Sequence, residues 1–304
     1  MGTVMRRARV IRHAGAGPRL RVLHWWLVAA LFALLMAAFL PRAAGAQEDE
    51  AARAARWKAL SQAIFPGRTL QDGAGVVQLE APPRALDAAL VPVSLDFPGA
   101  KPVKGVYLII DDNPSPLAAH VTFGPKADAR SLKLRVRVDA YTHLHAVAEA
   151  SDGTLYSTSK FIKASGGCSA PAGSDDAAAL KDVGVMKLRL LGPFTAGKPL
   201  QAQLMIRHPN FNGMQMNQLT RLYTPARFIR TIDATYEGGS VFHLDSDISL
   251  STDPVITFGF VPKQKGQMKI IAHDSSNAMF DHSFEVPGGD NDSHESALSR
   301  RESP

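Results

Sequence analysis

A single cysteine, Cys168, is the residue of this chain best suited to covalent chemistry. It lies in Gly166-Gly167-Cys168-Ser169-Ala170, a run of small residues with almost no apolar surface. Because glycine accepts nearly any backbone conformation and its neighbours have little to bury, the run predicts an exposed thiol on a mobile tether. A thiol in that position is available as a nucleophile. Free cysteine is also often a buried small hydrophobe, but its sequence neighbours are then normally apolar.

Two further groups of side chains have metal-ligand chemistry. His143 and His145 are two residues apart, which puts both imidazoles on one face of a strand, as a metal pair would require. His208 is followed by Met214 and Met216 in a polar loop, and His and Met are the ligands of several copper sites. The alternatives are a pair of surface histidines and a long structural loop. Neither group completes a metal site, so these residues are candidates and no cofactor is predicted.

Other chemistries find no support in the pattern. A blue-copper site needs a His and a Met a few residues after the Cys, whereas the next Met after Cys168 is Met186 and the next His is His208. We find no cluster of catalytic carboxylates, no Ser-His-Asp pattern and no glycine loop suited to phosphate. The sequence therefore does not predict an enzyme.

Residues 1–46 have the three parts of a secretory signal: arginines without an acid, an apolar run from Leu23 to Leu40, and the small exit Ala44-Gly45-Ala46. This run of eighteen residues approaches the length of a membrane anchor, but Pro41 and the small residues favour cleavage after Ala46. We expect export to the periplasm, with membrane contact only through the signal before cleavage. The Arg6-Arg7 pair leaves the Sec and twin-arginine routes both open.

Cleavage would change the net charge of the chain and the interpretation of its single cysteine. The whole chain has 34 Lys+Arg and 28 Asp+Glu; without the seven arginines of residues 1–46, 27 basic residues face 28 acidic ones. A nearly neutral chain gives no reason to expect nucleic acid as a partner. In an oxidising compartment one cysteine cannot form an intramolecular disulfide, so it indicates an intermolecular bond or a reactive group.

The elements predicted around Cys168 are mostly strands. An Ala-rich segment, residues 48–65, has Trp57, Leu60 and Ile64 at helical spacing. Beyond it the period becomes two: in residues 131–139 every even-numbered residue is apolar and every odd-numbered one polar, which predicts a strand with one face in water. The fold class expected is all-β, with two immunoglobulin-like antiparallel β-sandwich domains and a short N-terminal helix. The expected divisions are a signal peptide (1–46), the helix and lead-in (47–72), a first sandwich ending in the cysteine arm (73–168), a flexible linker (169–184), a second sandwich (185–287) and a disordered tail (288–304).

Several segments of the chain resemble a known family. Asp111-Asp112-Asn113-Pro114-Ser115-Pro116-Leu117-Ala118, Ala146 to Gly153, and Ser159-Lys160 leading to Gly166-Gly167-Cys168 resemble the Y subunit of the Sox sulfur-carrier complex. Ile206-Arg207-His208-Pro209, the Phe228 to Tyr236 strand and Pro254 to Phe260 resemble its Z subunit. The whole chain is similar to the fused SoxYZ-like carriers associated with quinoprotein dehydrogenases.

The resemblance implies a covalent carrier. In that family the Y-subunit cysteine, on a Gly-rich swinging arm, holds sulfur-oxidation intermediates between partner enzymes, so Cys168 becomes the attachment point and Ser165, Gly166, Gly167 and Ser169 the arm. The implied partners are periplasmic Sox-type cytochromes and hydrolases, or a quinoprotein dehydrogenase system. The family's arm ends Gly-Gly-Cys-Gly-Gly at a free C-terminus, whereas here Ser169 and a second domain follow, so a partner channel would have to admit a loop.

Two other functions stay open at this stage. The chain could be a non-covalent adaptor for an exported quinoprotein dehydrogenase or cytochrome, in which the thiol is incidental. It could also be a periplasmic copper-binding protein. The identity of the sulfur cargo and of the enzymes that load and unload it does not follow from the sequence.

Overall fold

A computed structural model describes residues 44–170, 179–217 and 220–288, with side chains from residue 50 onward. Most of the predicted signal segment, the centre of the predicted linker and nearly all of the predicted tail lie outside the described residues. The chain divides into two units, residues 1–52 and 53–304. Of the first unit only the helical residues 44–52 are described, and all strands belong to the second.

Within the described residues the chain forms one helix and fifteen strands, which confirms the all-β class. The helix begins four residues earlier than its sequence pattern predicts. The elements are α1 (Ala44–Ile64), β1 (Leu70–Asp72), β2 (Gln78–Glu80), β3 (Val91–Asp96), β4 (Val103–Ile110), β5 (Leu117–Phe123), β6 (Ala127–Val136), β7 (Thr142–Ala150), β8 (Leu155–Ile162), β9 (Met186–Leu190), β10 (Leu200–Ile206), β11 (Ile229–Tyr236), β12 (Gly239–Ser246), β13 (Val255–Phe260), β14 (Gly266–Asp274) and β15 (Met279–Val286).

The strands form two sheets, and each sheet contains strands from both halves of the chain. One has nine strands in the order β1-β8-β7-β4-β5-β12-β11-β14-β15, and the other has six in the order β2-β3-β6-β13-β10-β9. The halves meet where β5 pairs with β12 and where β6 pairs with β13, both antiparallel. The two sandwiches predicted from the sequence are therefore joined by backbone hydrogen bonds between strands.

One apolar core contains residues from both sheets. Apolar residues alternate along β6, where Leu132, Leu134 and Val136 are buried, and Phe258 of β13 is the register partner of Leu132. These side chains belong to a single cluster that extends through both halves of the chain. Since the halves share this cluster as well as their strand pairing, removing one half would expose apolar surface of the other.

The part of α1 within the second unit packs on a smaller apolar cluster. Trp57 and Ile64 contact a group that includes buried Phe65, Ile109 and Val147. Two of the three apolar residues at helical spacing, Trp57 and Ile64, therefore pack as predicted, whereas Leu60 is not part of this cluster. No helix in the described parts of the chain is long and apolar enough to cross a membrane.

Candidate functional site

The thiol of Cys168 is buried, so the prediction of an exposed thiol is wrong for this structure. Its residue is 0% exposed to solvent, and Gly167 beside it is also buried. A Cβ at Gly167 would lie 2.1 Å from the carbonyl oxygen of Ala88 and 2.6 Å from that of Val138. The absence of a side chain at Gly167 therefore permits close packing of the backbone. The sequence pattern predicts a mobile arm, whereas in the structure this glycine allows the arm to pack.

Backbone hydrogen bonds hold the arm, residues 165–170, against the end of β6. The Gly166 amide donates to the Asp139 carbonyl over 2.7 Å, and the Gly167 amide donates to the Val138 carbonyl over 3.1 Å. The Cys168 amide donates to Oδ1 of Asp139 over 3.2 Å. The Ser169 hydroxyl closes a turn by donating to the Gly166 carbonyl, while Ser165 and Ser169 themselves remain exposed.

The second half of the chain contributes two amide side chains to the same arm. Nδ2 of Asn212 donates to the Cys168 carbonyl over 2.6 Å, and Nε2 of Gln215 donates to the Ala170 carbonyl over 3.1 Å. Oε1 of Gln215 accepts the backbone amide of Asn212, so the backbone at Asn212 helps to orient the Gln215 side chain. Both are buried.

Arg137 lies under the arm and connects it to both halves of the chain. Its Nη1 donates to the Gly167 carbonyl over 3.3 Å, and its Nη2 donates to the Thr252 hydroxyl over 2.5 Å. The residue is 1% exposed. We call Arg137, Val138, Asp139, Asn212 and Gln215 the cysteine dock.

Asn113 fixes the two charged residues of the dock. Its Nδ2 donates to the Arg137 carbonyl over 2.8 Å and to the Ser249 hydroxyl over 2.8 Å. Its Oδ1 accepts the Asp139 amide over 2.9 Å. This buried amide therefore sets the backbone from which Arg137 and Asp139 reach the arm.

The dock makes the thiol a poor nucleophile. Burial, followed by the nearby carboxylate of Asp139, raises the pKa of Cys168 to about 12, and Arg137 opposes the shift only partly. The reactive form of cysteine is the thiolate, so a docked Cys168 is almost entirely in its unreactive, protonated form at neutral pH. The arrangement stores the thiol and does not activate it.

Comparison with protein families identifies the two halves. A family model described as "Sulfur oxidation protein SoxY" matches residues 61–168, and one described as "Sulphur oxidation protein SoxZ" matches residues 191–285. The chain joins a SoxY-family domain to a SoxZ-family domain. The SoxY match ends at Cys168, and the cysteine dock is built by both domains: Arg137, Val138 and Asp139 come from the SoxY domain, Asn212 and Gln215 from the SoxZ domain.

Two solved structures show some similarity to the chain. The sulfur carrier protein SoxY from Chlorobium limicola f thiosulfatophilum is 24% identical over 39% of this chain and 99% of its own, with a TM-score of 0.34. A superoxide reductase (neelaredoxin) from Ignicoccus hospitalis is 17% identical over 29% of this chain and 78% of its own, with a TM-score of 0.26. No curated protein sequence matches the chain.

The two histidines of the SoxY domain are close together, as their spacing predicts, and His145 already has partners. The ring centroids of His143 and His145 are 5.9 Å apart. Nε2 of His145 lies 3.2 Å from Oδ2 of Asp111, and its ring stacks on Trp57 with 3.5 Å between centroids. In the described part of the chain no three His, Cys, Asp or Glu side chains are placed to hold a metal ion together.

The copper candidate of the SoxZ domain is buried in a polar network. His208 is 0% exposed; its Nδ1 accepts the Asn210 amide, and its Nε2 lies 3.5 Å from Oδ2 of Asp274. Burial lowers the pKa of His208, so its ring is neutral at neutral pH. Met214 and Met216 are half-buried in the following loop. That loop serves the dock through Asn212 and Gln215.

Five residues whose side chains build the site were not singled out from the sequence: Asn113, Arg137, Asp139, Asn212 and Gln215. Asn113 belongs to the Asp-Asp-Asn-Pro segment on which the resemblance to SoxY rests, so a signal for it existed. The alternation of residues 131–139 predicts that Arg137 is exposed, because its position is odd-numbered, but the structure buries it. Asn212 and Gln215 are in the loop that was considered for copper, and no local pattern distinguishes amides that contact a distant arm.

Proposed function

We propose that this protein is a periplasmic carrier that holds sulfur-oxidation intermediates, such as thiosulfate-type sulfur, covalently on Cys168 and presents them to partner enzymes. The partners would be Sox-type cytochromes and hydrolases or a quinoprotein dehydrogenase system. A sulfur-oxidation carrier role is supported by the presence of both SoxY and SoxZ domains. The observation that carries the proposal is that the SoxY match ends on Cys168, the one cysteine among 304 residues.

The buried thiol gives the proposed carrier a stored state and a working state. In the stored state the arm lies in the cysteine dock, where the high pKa suppresses reaction. In the working state the arm leaves the dock, and the thiol regains an ordinary pKa and access to partners. Release breaks contacts of the arm alone, because Gly166 and Gly167 hydrogen-bond to the end of β6 without being part of either sheet.

Intact-mass measurement on protein from its native cell, together with the Cys168→Ser variant, tests the proposal. A carrier shows a mass increment on Cys168 that a reductant removes, and Cys168→Ser supports no turnover in reconstitution with partner enzymes. A wild-type mass that is always unmodified, with full activity of Cys168→Ser, would contradict it. Fractionation of cells expressing the full chain tests the proposed periplasmic location.

A second candidate, a non-covalent adaptor for an exported dehydrogenase or cytochrome, is favoured by the burial of the thiol. In an adaptor Cys168 would be a packing residue, as its 0% exposure allows. The same Cys168→Ser variant distinguishes the two, since an adaptor keeps its activity when sulfur is replaced by oxygen. Metal analysis of untagged protein checks the copper-binding alternative, for which His208, Met214 and Met216 were the candidate ligands.

A further inference from the structure

Arg137 is a buried cation that forms no ion pair within the described residues. Its residue is 1% exposed, and no carboxylate of the described residues forms an ion pair with it. Its hydrogen bonds go to two neutral oxygens, those of Gly167 and Thr252, and its Nε–H has no partner. Buried charges in proteins are normally paired and fully hydrogen-bonded, because removing them from water is unfavourable.

The charges around the guanidinium do not neutralise it. Asp139 uses Oδ1 to accept the Cys168 amide, and Asp87, which acts on Arg137 at longer range, is exposed. Burial lowers the pKa of Arg137, which reflects the unfavourable desolvation of its charge. The Cys168 thiol next to it is neutral while protonated. The dock therefore has one charge of each sign, but the Asp139 carboxylate binds the Cys168 amide and forms no ion pair with the guanidinium. Arg137 keeps an unused donor that an anion could accept.

An anion for this donor would be supplied by the sulfur group that the proposed function places on Cys168. Nη1 of Arg137 donates to the carbonyl of Gly167, the residue before Cys168, so a group attached to Sγ lies close to the guanidinium. We propose that Arg137 is the counterion for an anionic, sulfonate-ended group carried on Cys168. The inference rests on the proposed carrier function.

Guanidinium chemistry fits such a group. A sulfonate terminus spreads its charge over three oxygens, and the planar guanidinium binds oxyanions through parallel N–H donors. The unpartnered Nε–H donates to one oxygen, and Nη1 can exchange its 3.3 Å contact with Gly167 for another. Because Cys168 is fully buried, a larger group requires the arm to move outward, and Asp139 repels its charge. Arg137 opposes both effects for an anionic group and neither for a neutral one.

Chemical loading separates the role of charge from that of size. Tetrathionate converts Cys168–SH to Cys168–S–S–SO₃⁻: the thiolate attacks an inner sulfur, the central S–S bond breaks, thiosulfate leaves with the electron pair and the thiol proton goes to solvent. Methyl methanethiosulfonate gives the neutral Cys168–S–S–CH₃ with release of methanesulfinic acid. Both products are made on the full chain and on a synthetic peptide of residues 163–170, which corrects for the intrinsic reactivity of each disulfide.

The measurement is the rate at which dithiothreitol removes each group from folded protein, relative to the peptide. We expect the anionic group to be protected about 10-fold more than the neutral group, as expected for one charge-assisted contact. Arg137→Gln should abolish that difference, and Arg137→Lys should keep part of it. Arg135→Gln is the matched control, because Arg135 lies two residues before Arg137, within β6, and is exposed.

Equal protection of the two groups in the wild-type chain would overturn the inference, as would a difference that survives in Arg137→Gln. The wild-type comparison decides by itself if Arg137→Gln does not fold. Failure here is distinguishable from failure of the carrier function, because the groups are attached chemically. Native protein without any adduct would count against the carrier, whereas equal protection of chemically attached groups counts against Arg137.

Discussion

At the scale of single residues, the thiol of Cys168 is chemically quiet while its arm is docked. Its pKa of about 12 leaves very little thiolate at neutral pH, and its sulfur has no contact with solvent. Any reaction of Cys168 with a small reagent therefore reports release of the arm. The rate of alkylation becomes a measure of the equilibrium between docked and released states.

Alkaline pH should destabilise the wild-type chain more than Cys168→Ser. The folded-state pKa of about 12 exceeds the ordinary value of 9.0, so the folded chain binds the thiol proton more tightly than the unfolded chain does. The stabilisation is fully present below pH 9 and is lost as the pH rises toward 12, by at most about 1.4 kcal/mol per pH unit. Urea unfolding of both proteins at pH 8, 9 and 10 measures the difference. Parallel pH dependence of the two would show that the thiol is not held in its protonated form.

Replacing Asn212 by Ala should release the arm more often. The substitution removes the hydrogen bond to the Cys168 carbonyl and leaves that buried acceptor unpaired, which costs about 1 kcal/mol, or about a fivefold increase in the released population. The rate of alkylation by iodoacetamide at pH 8, followed by mass spectrometry, should rise in proportion. Gln264→Ala, at an exposed amide, is the control and should leave the rate unchanged. An unchanged rate in Asn212→Ala would show that the Asn212 side chain does not hold the arm in the dock.

At the scale of elements, the arm docks because its glycines permit a close approach to neighbouring backbone. A methyl group at Gly167 would meet the carbonyl oxygens of Ala88 and Val138 well inside contact distance. Gly166 has a φ of +73°, in the left-handed region where glycine is favoured, so it shapes the turn into the dock. The same residues would be mobile once released, which lets one short segment serve both states.

Gly167→Ala should prevent docking while leaving both sheets intact. Because the added methyl group meets backbone atoms, the arm must leave its place, and the alkylation rate of Cys168 should approach that of the isolated peptide. The rate and the urea midpoint are measured together. Ser165→Ala, at an exposed position of the same arm, should behave like wild type. A slow rate in Gly167→Ala would mean that the arm finds another buried position.

Strand β6 shows how far the sequence pattern extends and where it fails. The alternation of residues 131–139 correctly predicts that Leu132 and Leu134 are buried and that Lys133 and Arg135 are exposed. It fails at Arg137, where the strand leaves its sheet partner and the segment around Ser249 covers it: the Arg137 amide donates to the Ser249 carbonyl. Coverage by a segment more than a hundred residues away is a tertiary effect that local periodicity does not contain.

At the scale of the whole molecule, the two domains share both sheets and one core. The pairings β5–β12 and β6–β13 occur at edges that the separate domains would otherwise leave open. Exposed strand edges favour unwanted association with other molecules. Each domain therefore covers open strand edges of the other. The sequence predicts the number and sandwich class of the domains, but the choice of edges is not encoded in any local pattern.

A chain cut within residues 171–178 should stay together. The paired strands and shared cluster do not depend on continuity of the connecting segment. With a protease site inserted there, the two fragments should co-elute in size-exclusion chromatography at neutral pH and separate only in denaturant. The uncut chain with the same insertion is the control. Separate elution of the fragments in native buffer would show that the interdomain pairing is weak.

The dock residues of both domains belong to one polypeptide, and this has a kinetic consequence. Asn212 and Gln215 are tethered to the arm that they hold, so their local concentration does not change when the protein is diluted. Return of a released arm to the dock is then a first-order event, with a rate that does not depend on protein concentration. A noncovalent pair of subunits that separates on dilution would expose its cysteine. In this chain the residues that bury the cysteine stay attached to it at any protein concentration.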